Sequence, residues 1–234
     1  MVEDPEADSL ESVHQAIEAG KFDAALPMLQ AAAKTNPDNA EIYFLAGHCL
    51  GHLNDHKAAL DAYRRAADLK ADWPAPYLGA AQVLASVGDA YASMQALLQV
   101  LSFSPRHLDA ARQLVGLLER IKPDSYLPEL RPALQQCFSH PDIDPGPLAR
   151  LCGQQLRLSI ADEFKADDQD LSATVIAALA DDKLWHRYLS RVINTDPALE
   201  RLVTRLRRHL CLNVATDDSA PAPLALIDAL ARQC

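Results

Sequence analysis

AEIYFLAGHCLGHLNDHKAALDAYRRAADLKADW, residues 40–73, repeats its pattern on both sides of itself. Gly20, Asn54 and Gly88 fall 34 residues apart, as do Ala25, Ala59 and Ser93, and again Ala32, Ala66 and Val100. Pro37 and Pro105 are separated by twice that period. Several columns sharing one period mark a stack of supersecondary units. Small residues such as Gly47, Ala59 and Ala66 suit places where two helices cross closely. Gly20 and Gly88 suit helix ends, where a left-handed backbone is tolerated by glycine. Leu26, Leu29, Leu60, Tyr63, Leu97 and Leu98 recur at helical spacing and form the expected buried seam.

Period and residue types resemble the tetratricopeptide repeat, a 34-residue helix-turn-helix unit. The units fall at 6–39, 40–73 and 74–107. In the second, Tyr43, Ala46, Gly47, Leu50, Ala59, Tyr63 and Ala66 occupy the signature columns. The third supplies Tyr77, Ala80, Ala81, Leu84, Leu97 and Pro105. The first departs in its opening helix (Ser9, Ser12, Val13), as an end-capping unit does, and Ala71 stands where unit two would close with proline. Residues 1–5 are expected to be disordered. Since one unit cannot hide its apolar face alone, LDAARQLVGLLERI, 108–121, is expected as a capping helix that completes an array over 6–121. The fold class is therefore all-α, a helical-hairpin solenoid followed by a second helical domain.

The resemblance implies that the first helix of each unit lines a concave groove. Its exposed columns are Leu10, His14 and Ile17, then Phe44, His48 and His52, then Leu78, Gln82 and Ser86, extended by Asp109 and Arg112. Subclasses that grip a C-terminal carboxylate carry Lys, Arg and Asn there, and this chain lacks that set. An apolar, histidine-bearing groove suits a docked peptide or helix. His48 and His52, four residues apart on one helix, also fit a metal reading, but no Cys or carboxylate completes a sphere in sequence, so surface histidines are expected.

Pro123, Pro128, Pro132, Pro141, Pro145 and Pro147 punctuate a connection over 122–147, with a helix expected at 124–138. A C-terminal helical domain, 148–234, follows. It is read as helices at 147–158, 171–180, 182–194 and 197–211, with a polar loop around 166–168. The last helix opens on Asp196-Pro197, a good cap and first-turn pair. Arg201, Arg205, Arg207 and Arg208 lie towards its C-terminal end, where cations complement the helix dipole and where a basic docking patch could also form. TDPALERLVTRLRRHL, 195–210, with LIDALARQC, 226–234, resembles the segment that joins such repeats to an S-adenosylmethionine-dependent methyltransferase domain in bacterial fusion proteins. Asp196, Pro197, Leu199, Glu200, Arg207 and 229–234 carry that resemblance. The chain stops at Cys234 in mid-pattern, as a fragment does.

Composition narrows the function. Hydrophobic residues make up 49% and aromatic residues 6%, an Ala/Leu-rich mixture that suits helix stacks. The net charge of −10 argues against general nucleic-acid binding. Five cysteines without a CxxC pair are a poor disulfide framework, and neither a signal peptide nor a membrane-spanning run occurs, so a cytoplasmic protein with reduced thiols is expected. No glycine-rich cofactor loop, GxSxG or HExxH is present, so neither catalysis nor a cofactor nor a metal is expected. Three functions remain: a module that binds a protein or peptide, the recruiting front end of a methyltransferase, and a structural assembly subunit. The sequence sets no oligomeric state.

Overall fold

The computed structural model describes residues 5–160, 173–191 and 197–214, and every regular element among them is a helix. The first seven are α1 (Pro5–Glu18), α2 (Phe22–Thr35), α3 (Ala40–His52), α4 (His56–Leu69), α5 (Pro74–Ser86), α6 (Ala90–Phe103) and α7 (Leu108–Ile121). Then come α8 (Leu130–Cys137), α9 (Pro145–Ser159), α10 (Ala173–Asp181), α11 (Lys183–Arg191) and α12 (Pro197–Val214). The chain divides into two compact units, Met1–Leu117 and Leu118–Cys234, with the division falling inside α7.

In the first unit each helix packs on the next, from α1 through α6, and α3 also touches α5. Three hairpins result, and their turns are copies of one another. Gly20 (φ 70°), Asn54 (φ 62°) and Gly88 (φ 87°) each adopt the left-handed conformation. The residue after each donates its N–H back over the turn, Lys21 to Ala16 O (2.9 Å), Asp55 to Leu50 O (3.0 Å) and Asp89 to Leu84 O (2.9 Å). These are Schellman motifs, which satisfy carbonyls that a helix end leaves open. Asp55 and Asp89 then cap the following helix, accepting from Ala58 N (3.2 Å) and Ala92 N (3.0 Å). The second helices end alike, Asn36, Lys70 and Ser104 donating to Ala32, Ala66 and Val100.

The interior follows the same columns. Ala25, Ala59 and Ser93 are buried, and the one polar member is satisfied because Ser93 Oγ donates to Ala81 O at 2.8 Å. Tyr63 fills the space two glycines leave. A Cβ on Gly47 would lie 2.8 Å from Tyr63 Cδ1, and one on Gly79 would lie 2.7 Å from Tyr63 Cε1. Leu29, Ile42, Met94 and Leu97 are almost wholly buried, each stabilising the stack by about 1.5–3 kcal/mol before the entropy cost of ordering it.

Lys122 continues the left-handed column at φ 44°. The next position, which carries the returning N–H in the three hairpins, is Pro123, which has none. The hairpin does not close, and the helix expected at 124–138 is the shorter α8. The chain before it is pinned instead: Gln155 Oε1 accepts from Leu127 N (2.9 Å), Gln155 Nε2 donates to Ser125 O (3.2 Å) and Gln154 Nε2 to Pro123 O (2.7 Å).

The second unit is built around α9. Gly153 lets Leu199 of α12 and the Tyr188 hydroxyl of α11 approach, a Cβ there lying 3.2 and 3.3 Å from them. The helix expected from Pro147 opens at Pro145, because Asp144 accepts from Gly146 N at 2.9 Å. Asp182, expected as the first residue of a helix, stands between α10 and α11 and accepts from Leu184 N (2.9 Å) and Trp185 N (3.1 Å) while pairing with Arg131. The loop at 166–168, the end of the helix expected at 182–194, the Asp196 cap and the segment 215–234 lie outside the described residues.

Candidate functional site

The first helices of the three hairpins bring the predicted residues onto neighbouring elements. Leu10, Phe44 and Leu78 occupy one column, with Arg112 of α7 next in step. The first three are half-buried and Arg112 is exposed. Leu10, Ile17 and Phe44 rest on the core formed by Val13, Ala25, Leu29, Ile42, Leu45 and Cys49, so each presents only part of its surface. Phe44 also lies 4.9 Å from the Trp73 ring and 6.0 Å from Tyr63, centroid to centroid, and touches a second core around Ala59, Tyr63 and Val83.

His14 Nδ1, when protonated, donates to Leu10 O at 2.9 Å, and its Nε2 lies 3.6 Å from Glu41 Oε1, joining α1 to α3. His48 and His52 come together, ring centroids 4.6 Å apart and nearly perpendicular, but their companion is an aromatic ring. Phe22, at the start of α2, stacks on His52 at 4.2 Å and meets His48 edge-on at 6.0 Å. His48 is held below the ordinary histidine value of 6.5, first by burial and then by His52. His56 belongs to α4. Among the described residues no three His, Cys, Asp or Glu side chains converge as a metal would require.

Gln82 and Ser86 are exposed, the Ser86 hydroxyl donating to Val83 O at 2.6 Å. Cys49 belongs to the core, and burial pushes its thiol up to about 11, which leaves no thiolate for nucleophilic work at neutral pH. Cys137 is likewise raised, to about 12.

The arginines of α12 divide between two faces. Arg201, Arg205 and Arg208 share one side at helical spacing, opposite the buried Leu199, Leu202, Val203 and Leu206. Arg207 lies on another side, two turns from Glu200 and 3.5 Å from its carboxylate.

Sequence reasoning missed Phe22, Glu41 and Trp73 as neighbours of the predicted columns. Their signal lies in antiparallel packing: the start of one helix stands beside the end of the next, which places Phe22 against His52.

Residues 10–76 match the tetratricopeptide repeat family. Among solved structures, that of Naa15/Naa10 bound to HypK-THB is 14% identical with a TM-score of 0.50, covering 97% of this chain and 39% of that one. The crystal structure of MamA is 16% identical at a TM-score of 0.47, covering 82% of this chain and 96% of that one. The type III secretion chaperone SycD of Yersinia enterocolitica, in complex with a peptide of the translocator YopD, is 17% identical at 0.47, covering 50% of this chain and 91% of that one. No curated protein sequence matches the chain. At these identities the likeness is one of fold, and the fold is a tetratricopeptide-like helical repeat. The methyltransferase-linked resemblance of 195–234 finds no counterpart in these matches. No helix among the described residues is long and apolar enough to cross a membrane.

Proposed function

We propose that the first unit is a non-catalytic docking module that seats a peptide or helix of another protein against the face shared by α1, α3 and α5. One observation carries the reading: Leu10, Phe44 and Leu78 stand half-exposed in register on successive first helices, flanked by the polar Gln82, Ser86 and His14. A row of anchors at a fixed spacing, with polar neighbours, is what an amphipathic guest needs for affinity and register. The raised Cys49 thiol is in keeping with a binding face, since it offers no nucleophilic thiolate there at neutral pH.

The test uses the full chain as bait, with captured partners reduced to their shortest binding segment. Gln82→Trp adds bulk on an exposed position and should weaken binding at least about tenfold with an unchanged circular dichroism spectrum, since loss of one well-placed contact region costs more than about 1.4 kcal/mol. Phe44→Ala should weaken it too, but at a cost in stability because Phe44 touches both cores. Undiminished affinity in Gln82→Trp contradicts the proposal.

A further inference from the structure

We infer that the guest of this face is a cationic amphipathic segment, one whose apolar stripe meets Leu10, Phe44 and Leu78 while its Lys or Arg residues meet the carboxylates beside them. The inference rests on the docking reading above and adds the sign of the charge.

Up to residue 107 the array carries Lys21, Lys34, Lys57, Arg64, Arg65, Lys70 and Arg106, and every one lies on α2, α4 or a connection. None lies on α1, α3 or α5. The acids with described side chains on those three helices are Glu11, Glu18 and Glu41, all exposed. Glu18 occupies the column of His52 and Ser86, and Glu41 the column that Asp109 continues on α7. The first cation in the apolar column is Arg112, also on α7. The segregation is not a matter of supply, because the second helices have cations enough to pair Arg65 with Asp38 at 3.9 Å.

His48 does not reverse the sign near neutral pH. His48 resists protonation through its burial and the proximity of His52, and His14 stands against Glu41. An acidic guest meets exposed carboxylates on α1 and α3 with no Lys or Arg on α1, α3 or α5 to offset them, whereas a basic guest finds an opposite charge on both α1 and α3. Exposed charges are screened within about 8–10 Å at physiological salt, so this complementarity sets the guest's sign and register more than its total affinity.

Two synthetic helical peptides with the same Leu spacing, one filled with Lys and one with Glu, distinguish the outcomes by fluorescence anisotropy on the full chain. The Lys peptide should bind about tenfold tighter at low salt, with the difference closing near about 0.5 M. The double variant Glu18→Lys, Glu41→Lys should lower binding of the Lys peptide and raise that of the Glu peptide, while Arg64→Glu on α4 changes neither. A Glu peptide that binds as tightly overturns the sign of the charge. If Gln82→Trp then still blocks that peptide, the docking reading itself survives. Binding of neither peptide overturns both.

Discussion

In the first unit Ser93 reaches the Ala81 carbonyl twelve residues back, while in the second Gln155 reaches Ser125 across thirty and Arg131 reaches Asp182 across fifty-one. The repeat array is joined by neighbour-to-neighbour packing whose turns are copied at a fixed interval. The second unit adds to its apolar core individual long-range polar bonds, such as those of Gln155 and Arg131, that recur nowhere else among the described residues. Interactions between neighbours write a period into the sequence, and individual long-range bonds write none. Pro123 marks the change, because it removes the N–H that closes every earlier hairpin.

The largest expected effect breaks the second unit. Arg131→Met leaves the Asp182 carboxylate, 13% exposed, without its cation and should cost about 3 kcal/mol by denaturant unfolding. Gln155→Leu strands the Leu127 N–H and the Ser125 carbonyl and should cost about 2–3 kcal/mol. Amide exchange should show either loss concentrated in residues 118–214, with α3–α6 keeping their protection.

In the array, Gly79→Ala forces a methyl group onto the Tyr63 ring and should cost about 1–3 kcal/mol, with Tyr63→Leu in the same chain recovering part of it. Coupling between the two substitutions sharpens the packing account, and simple additivity breaks it. Lys122→Gly relieves a left-handed non-glycine residue and should raise stability by up to about 1 kcal/mol, whereas Asn54→Ala should lower it by about the same amount. The smallest effect is in pH. The folded state holds His48 below 6.5, so the unfolded chain takes up the proton first and stability falls as pH drops below that value. His48→Gln should flatten that slope between pH 6.5 and more acidic conditions.

These two regions also differ in how much of them can be read from the chain. The positions of α2 to α7 follow from Gly20, Asn54 and Gly88, since a left-handed turn residue at a fixed interval leaves little choice about where helices stop. In the second unit the helices over 182–194 and 197–211 were legible, but Asp182 read as the first residue of a helix rather than its cap and Asp144 did not read as a cap. Their roles depend on Arg131 and on local turns that no spacing reveals. Of the candidate face, the columns were legible and the companions were not. Phe44 looked like a free anchor, yet it leans on Trp73 and two cores. His48 and His52 read as surface histidines, and their packing on Phe22 had no signal in the spacing.

The measurement that bears most directly on the account is amide hydrogen exchange of the full chain with and without its captured partner segment. Added protection confined to α1, α3 and α5, together with α7 up to Leu117, is the predicted result. Protection that falls instead on α2, α4 and α6 would contradict it, because the guest would then sit on the second helices of the hairpins.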